Sequence, residues 1–329
     1  MFGAGRINVS LIKAGLITTG FVAVVLILLL VVTRPVGLPV AALPQHSVDI
    51  GNGERLFHAG GCASCHSSTD MHSEPAQSDG GPDSDLVGGP DGGQVGRLGG
   101  GLELDTPFGL FRVPNISPHP SSGIGRWSML DFVNAMHLGV SPHGRHYYPA
   151  FPYTSYTRMT FEDLMDLKTY LDSLPVVDTK IPDHNLKFPW NIRAGIGVWK
   201  LVNLDLGFII SVAADDGQLI RGRYLVEGPG HCGECHTPRN WTGGLEKSRW
   251  LAGAANPEGE GKVPNITPHK NGLASWSKSD IDYYLDSGFT PDFDTVGGSM
   301  VKVQENMARL SAEDRAAIAA YLKAIPSLE

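Results

Sequence analysis

Two stretches of this sequence share one pattern: Cys62-Ala63-Ser64-Cys65-His66 and Cys232-Gly233-Glu234-Cys235-His236. Together they hold all four cysteines of the 329 residues. Two thiols separated by two residues and followed at once by a histidine are typical of covalent haem c sites, in which the thiols bond to the porphyrin and the imidazole binds the iron. The sequence therefore predicts two covalently bound haem c groups. The predicted attachment and iron-binding residues are Cys62, Cys65 and His66 for the first haem, and Cys232, Cys235 and His236 for the second.

Paired cysteines also occur in structural zinc sites and in thioredoxin-like redox motifs. A zinc ribbon places its second pair about 15–20 residues after the first, whereas Cys232 lies 170 positions after Cys62. Two separate zinc sites would need further ligands, and a redox motif would not explain a histidine beside both pairs. Haem attachment is favoured over both alternatives. Because the two motifs use every cysteine, no disulfide is expected.

An uncharged apolar run covers residues 14–32 and is about long enough to cross a bilayer as a helix. Haem c is attached on the outer side of the bacterial inner membrane, so the sequence predicts a single N-terminal transmembrane helix with the haem domains in the periplasm. A cleaved signal peptide is the alternative, with Val40-Ala41-Ala42 as its cleavage site. The apolar region of a signal peptide usually has about 7–15 residues, so a retained anchor is favoured.

The same series of segments follows both motifs. The segment VPNISPH at 113–119 returns as VPNITPH at 263–269. A serine with an aspartate three residues later then predicts a capped helix start in each copy, and a glycine predicts its end. A second helix closes each copy before a proline. These paired signals are Ser128 and Ser277, Gly139 and Gly288, Thr160 and Ser311, and Pro175 and Pro326. The duplication predicts two small helical domains with negligible strand content.

Several segments resemble the multihaem cytochrome c subunits of membrane-bound periplasmic dehydrogenases for alcohols, gluconate, aldehydes and N-heterocycles. They are residues 104–109, the two VPN loops, residues 144–153 and residues 221–228, and the resemblance runs from about 53 to 322. It implies an all-α fold with two tandem class-I-like cytochrome c domains behind the transmembrane helix. It also implies electron transfer from a large periplasmic dehydrogenase subunit to a respiratory electron acceptor. Such subunits often carry three haems, whereas this chain has two motifs.

The predicted organisation has four parts: an anchor and linker at 1–43, a first cytochrome c domain at 44–178, an interdomain segment at 179–214 and a second domain at 215–329. A Gly-rich insert at 67–101 distinguishes the first domain. Its acidic residues predict either a solvated loop or a docking lid for a basic partner, and they are Asp70, Glu74, Asp79, Asp83, Asp85 and Asp91. The apolar stretch at 198–213 is too short and too polar to span a membrane and is expected to pack between the domains. A net charge of −8 argues against nucleic-acid binding.

The resemblance also suggests axial ligands. Met300 stands where the family's sixth ligand falls and is predicted to bind the iron of the second haem, with Met307 as the competitor. In the first repeat Phe151 takes the corresponding position, and phenylalanine cannot ligate iron. The sixth ligand of the first haem is therefore left open, the nearby candidates being His143, His146, Met136 and Met159.

The histidine of each motif needs a partner for its second ring nitrogen. By resemblance to small cytochromes, the carbonyls of Pro114 and Pro264 are expected to accept that hydrogen bond. Asn115 and Asn265 are then expected near the haem edges. The alternative is that these prolines and asparagines only shape a turn.

Other functions stay open at this point. If the distal side of the first haem is vacant, the protein would be a haem enzyme that acts on peroxide or a sulfur oxyanion. The chain would otherwise be the dihaem subunit of a terminal oxidase. No dinucleotide-binding G-x-G-x-x-G pattern opens the chain. The preferred interpretation is a protein that is no enzyme by itself and transfers electrons for a dehydrogenase partner.

Overall fold

The structure is a computed structural model that describes residues 9–68, 87–88, 94–95, 97–256 and 261–329. The helices are α1 (Val9–Val32), α2 (Ile50–Ala59), α3 (Cys62–His66), α4 (Met129–Leu138), α5 (Tyr153–Tyr156), α6 (Phe161–Ser173), α7 (Gly195–Asn203), α8 (Gly217–Glu227), α9 (Gly233–His236), α10 (Lys278–Ser287), α11 (Met300–Met307) and α12 (Ala312–Ala324). The strands are β1 (Val87–Gly88), β2 (Gln94–Val95), β3 (Glu103–Thr106), β4 (Gly109–Arg112), β5 (Asn185–Leu186), β6 (Ala254–Ala255) and β7 (Lys262–Val263). The six acidic residues of the Gly-rich insert lie outside the described residues, so the choice between a solvated loop and a docking lid stays open.

Helix α1 is strongly apolar. Its segment Gly15–Val32 has a mean hydropathy of 2.9 and none of it is buried by the rest of the chain. Within the described residues it is the one helix long and apolar enough to cross a membrane. The helix ends at Val32, where the predicted span ends, and Thr33 immediately after it is buried.

In each repeat the helix before the motif crosses the last helix at a glycine. A Cβ on Gly53 of α2 would lie 2.3 Å from the carbonyl oxygen of Asp166 in α6. A Cβ on Gly222 of α8 would lie 2.0 Å from the carbonyl oxygen of Ala317 in α12. No larger residue fits at either crossing unless the backbone moves. The duplication seen in the sequence is therefore also a duplication of helix packing.

The predicted helix boundaries after the VPN loops are confirmed. Ser128 and Ser277 each accept a hydrogen bond from the backbone of the aspartate three residues later, whose carboxylate accepts one from the serine backbone. Gly139 and Gly288 end α4 and α10 in the left-handed conformation, with φ of 60° and 78°. Helices α6 and α12 also begin after capping hydroxyls, as predicted.

Each repeat has its own buried apolar cluster. The clusters form where the amphipathic faces of the three longer helices of a repeat meet, which removes apolar surface from water. The first includes Leu56, Phe57, Phe132, Val133, Leu164, Leu167 and Leu171. The second includes Leu225, Val226, Trp250, Ile281, Leu285, Ile318 and Leu322.

The expectation of negligible strand content is wrong for one region of the first repeat. Strands β3, β4 and β5 form an antiparallel sheet, with Leu104 opposite Phe111 and Gly109 opposite Leu186. The turn between β3 and β4 is held by Thr106, whose hydroxyl donates to the Gly109 carbonyl at 2.7 Å. Strand β5 pairs with residues more than seventy positions away, and such a tertiary pairing leaves no mark in local sequence periodicity.

Helix α7 contains the first part, residues 198–203, of the apolar stretch that was expected to pack between the domains. One face of it contacts both repeats: Lys200 Nζ donates to the Leu138 carbonyl at 2.6 Å, and Trp199 Nε1 donates to the Thr242 carbonyl at 2.9 Å. The other face carries Leu201 and is exposed to solvent. Within α7, only one face of the stretch therefore packs between the repeats.

A buried ion pair joins the two repeats. Arg158 Nε, before α6, lies 3.5 Å from Glu227 Oε2 at the end of α8, and the two side chains are 2% and 0% exposed. Glu227 also accepts hydrogen bonds from the Tyr321 hydroxyl at 2.6 Å and from the backbone N–H groups of Ile209 and Ile210. The carboxylate is therefore fully partnered, and Arg158 supplies its compensating charge from the other repeat.

Replacing Arg158 with methionine is expected to lower the free energy of unfolding by about 3–5 kcal/mol, because it leaves a carboxylate buried without its countercharge. The matched control is Arg55→Met, which removes an exposed pair with Asp49 at 3.6 Å and should change stability by less than about 1 kcal/mol. Guanidinium unfolding followed by circular dichroism measures both values. Equal stabilities of the two variants would contradict the prediction.

Candidate haem sites

Both CxxCH motifs fold into a single helical turn, α3 in the first repeat and α9 in the second. Positions three apart on a helix lie on the same face, so the two thiols of each motif point to one side. Cys65 and Cys235 are exposed, whereas Cys62 and Cys232 are half-buried. This arrangement offers two thiols on one surface at each site, as thioether attachment of a porphyrin requires.

The two motif histidines make the same hydrogen bond to the proline of the VPN loop. His66 Nδ1 lies 2.8 Å from the Pro114 carbonyl oxygen, and His236 Nδ1 lies 2.8 Å from that of Pro264. These are the acceptors expected from the sequence. A carbonyl can only accept, so Nδ1 carries the proton and Nε2 keeps its lone pair for a metal. Burial lowers the pKa of His66 to about 4 and also lowers the pKa of His236, which favours the neutral form of each ring.

Sequence analysis missed a glycine beside each of these carbonyls. The N–H of Gly100 donates to the His66 carbonyl at 2.8 Å, and the N–H of Gly253 donates to the His236 carbonyl at the same distance. Both glycines have positive φ, 70° and 87°. A Cβ on Gly100 would lie 2.6 Å from the Pro114 carbonyl oxygen. The repeated Leu-x-Gly pattern at 98–100 and 251–253 is the signal that could have found them.

The asparagines of the VPN loops fasten each loop to the end of its own repeat. Asn115 Nδ2 donates to the Val177 carbonyl at 2.7 Å, and its Oδ1 accepts from the Ser117 N–H. Asn265 Nδ2 donates to the Leu328 carbonyl at 2.7 Å. These contacts agree with the loop-shaping alternative, while proximity of Asn115 and Asn265 to a haem edge stays a prediction.

The donor sets fit haem attachment better than zinc. Within the part of the chain that the structure describes, no group of three or more His, Cys, Asp or Glu side chains is placed to hold a metal ion. Among those described residues, neither motif is given the further ligands of a closed zinc site. Two thiols with one oriented imidazole are the complete protein contribution to the attached face of a haem c group.

The predicted distal positions differ between the repeats. Met300 is the first residue of α11 and is partly buried. Phe151 packs among aromatic rings, with its ring centroid 5.6 Å from that of Tyr147 and 5.8 Å from that of Tyr156. The first repeat thus has a hydrocarbon side chain where the second has a thioether.

The four candidate ligands of the first repeat have different surroundings. Met136 and Met159 are buried in the apolar cluster. His146 Nε2 lies 2.7 Å from the carbonyl oxygen of Thr33, just after α1. His143 is exposed. The contact to Thr33 shows that His146 has a structural partner at the end of the apolar helix, which the sequence did not indicate.

The third residue of each motif contacts the other repeat. Ser64 Oγ accepts a hydrogen bond from Asn306 Nδ2 of α11 at 3.0 Å. Glu234 Oε1 accepts hydrogen bonds from the hydroxyls of Thr154 and Ser155 in α5, at 2.7 and 3.0 Å. The first attachment turn therefore contacts α11, which begins at Met300. The second contacts α5, which follows Phe151. Each turn is held against the opposite repeat, and the two motifs lie close together.

Comparison with known proteins supports this arrangement. Residues 50–175 match the cytochrome c family. A protein named diheme cytochrome c-type, from Cereibacter sphaeroides, is 48% identical over 301 residues, which cover 90% of this chain and 93% of that protein. The chain belongs to the cytochrome c family. This cytochrome carries two covalently bound haem c groups and functions in electron transfer.

Two further relatives are longer than this cytochrome. The fructose dehydrogenase cytochrome subunit of Gluconobacter japonicus is 33% identical over 312 residues, covering 93% of this chain and 59% of that subunit. The gluconate 2-dehydrogenase cytochrome c subunit of Pantoea cypripedii is 33% identical over 286 residues, covering 84% of this chain and 59% of that subunit. The cytochrome thus spans just over half the length of each of these two relatives.

Replacing Gly100 with alanine is expected to displace the Pro114 carbonyl and loosen the orientation of His66. An alanine with positive φ costs roughly 1–2 kcal/mol, and the crowding adds about 1–3 kcal/mol. Gly144→Ala is the matched control, because Gly144 also has positive φ but a Cβ there would have no atom within 4 Å. Thermal unfolding and the visible spectrum of the holoprotein measure the effect. Equal losses of stability in Gly100→Ala and Gly144→Ala would contradict this prediction.

Proposed function

We propose that this cytochrome is a membrane-anchored electron relay in the periplasm, which receives electrons from a large dehydrogenase subunit and passes them to a respiratory acceptor. The cytochrome subunits among its relatives support a dehydrogenase partner. The exposed apolar helix α1 supports anchoring, with the haem domains on the side of the membrane where haem c is attached. The proposed location is the bacterial inner membrane.

The contacts between the repeats carry this proposal. A Cβ on Gly60 would lie 3.4 Å from Cys62 Sγ and 3.6 Å from the Pro229 carbonyl oxygen. His231 Nε2 lies 3.2 Å from the Gly60 carbonyl oxygen. The segments leading into the two motifs are therefore in direct contact. Bound haem c supplies one-electron chemistry at its iron, and this packing holds the two attachment sites at a short separation.

The proposed haem-binding residues follow the motif geometry. We assign the thioether bonds to Cys62, Cys65, Cys232 and Cys235, and the proximal nitrogens to His66 and His236. The carbonyls of Pro114 and Pro264 orient these rings. The two apolar clusters support two cytochrome c domains, at 44–178 and 215–329, joined by 179–214.

Met300 is proposed as the sixth ligand of the second haem. Its place at the start of α11 leaves it half-buried, whereas Met307 at the end of that helix is 4% exposed and packs in the second apolar cluster. A methionine ligand raises the reduction potential of a haem relative to histidine. The phenylalanine at the matching position of the first repeat supports two haems of unequal potential.

Replacing Met300 with alanine is expected to lower the potential of one haem and to abolish the red charge-transfer band of methionine-ligated ferric haem. Potentiometric titration followed by absorbance measures both. Met307→Ala serves as the control and should keep the band while reducing stability, since it removes a buried side chain. Loss of the band in Met307→Ala instead would reassign the ligand.

Membranes that contain the cytochrome and its native partners provide the test of the relay. An alcohol, gluconate, fructose or an N-heterocycle is added, one at a time. At least one of these substrates should reduce the haem iron, so that the absorption bands of ferrous haem c appear. A strain lacking the cytochrome should lose respiration on the same substrate. A cytochrome that stays oxidised with every substrate, while dithionite still reduces it, would contradict the proposal.

A further inference from the structure

Helix α7 has its polarity inverted relative to a helix at a water-exposed surface. It buries Lys200 and Gly197, whereas Leu201 and Val202 are 61% and 73% exposed. Val198 on the same face is exposed as well. A helix on the surface of a soluble protein turns its apolar stripe inward and its charges outward. The outward face of α7 therefore suits an apolar environment better than water.

The buried side of α7 explains how the lysine is tolerated there. Lys200 Nζ donates to the carbonyls of Leu138 and Gly139, at 2.6 and 2.8 Å, where α4 ends. It also lies 4.6 Å from the ring centroid of Tyr153. A cation at a helix C-terminus is stabilised by the helix dipole. The orientation of α7 is thus fixed by specific polar contacts, and its apolar face is outward because Lys200 is inward.

The end of the apolar helix α1 packs directly against α7. A Cβ on Gly197 would lie 2.4 Å from the carbonyl oxygen of Thr33, the first residue after α1. His146 Nε2 lies 2.7 Å from the same oxygen, and the Leu38 N–H donates to Asn134 Oδ1 at 2.7 Å. Residues four apart on a helix are neighbours, so Leu201 lies one turn from this contact. Any bilayer that α1 crosses ends next to the exposed face of α7.

The surroundings of α7 have the composition of a membrane interface. Phe188 and Trp190, in the loop that leads into α7, are exposed, and the Trp190 ring centroid lies 5.0 Å from that of Phe108. Two exposed basic residues are close in sequence to these segments: Arg34 follows the end of α1, and Lys187 precedes Phe188. Tryptophan at the headgroup level and basic residues beside the hydrocarbon are typical of interfacial segments.

We propose that the exposed face of α7, together with the Phe188–Trp190 loop, lies in the headgroup and upper acyl region of the bilayer that α1 crosses. The occupant of this apolar face is lipid, since the face is continuous with the end of the membrane-spanning helix. This inference rests on the anchoring proposed above. It gives the first repeat a second membrane contact, which fixes the tilt of the haem domains relative to the membrane surface.

Photolabelling in vesicles tests the proposal with the full-length holoprotein and no partner. Phosphatidylcholine with a diazirine near the glycerol end of one acyl chain is irradiated, and labelled tryptic peptides are identified by mass spectrometry. Peptides from α1 and the α7 peptides 194–200 and 201–221 should be labelled, whereas the α10 peptide 279–302 should not. Labelling of α1 without α7 would overturn the α7 contact and leave the anchor standing. Labelling of neither would overturn both.

Two double variants sharpen the result. Leu201→Gln with Val202→Gln should reduce labelling of the α7 peptides several-fold relative to α1. Val176→Gln with Tyr283→Gln changes two other exposed apolar residues and should leave that ratio unchanged. The alternative occupant of this face is the dehydrogenase subunit. Hydrogen exchange, measured on the complex isolated with its native partner, distinguishes that subunit from lipid. If α7 is unlabelled in vesicles but protected only in the complex, its apolar face belongs to the dehydrogenase subunit and the lipid assignment is wrong.

Discussion

The orientation of each motif histidine depends on one backbone carbonyl. In the first repeat that carbonyl belongs to Pro114, and His66 can donate to it only because Gly100 lets the backbone pass without a Cβ. Asn115 then ties the same loop to Val177 beyond the last helix. The second repeat reproduces this set of contacts. The single hydrogen bond of each motif histidine is therefore supported by backbone geometry that extends across a whole repeat.

The two repeats are connected by polar contacts at their centre. The Arg158–Glu227 pair is fully buried, and Glu234 accepts two hydroxyl donors from the opposite repeat. Buried polar groups of this kind are stable only when every partner is present. Because these contacts involve the motif turns or the helices next to them, the packing between repeats and the separation of the two haem sites are set by the same residues.

Much of the candidate site could be predicted because its signals are local. Neighbouring residues determine the motif spacing, the Ser128 and Ser277 caps and the glycine helix ends. Because the sequence is duplicated, each of these signals occurs twice. What sequence analysis missed is tertiary. Strand β5, the Arg158–Glu227 pair and the packing of Thr33 on Gly197 join residues far apart in the chain, and no periodicity encodes them. The outward face of α7 was likewise hidden, because composition does not reveal which side of a helix is covered.

The central polar contacts restrict how such a protein can be rearranged during evolution. A repeat exchanged with that of another cytochrome would bring Glu227 or Arg158 without its counterpart, and Glu234 without its hydroxyl donors. Shuffling of single repeats would therefore be selected against unless both sides changed together. The two repeats are in this sense a matched pair, although each has its own haem motif.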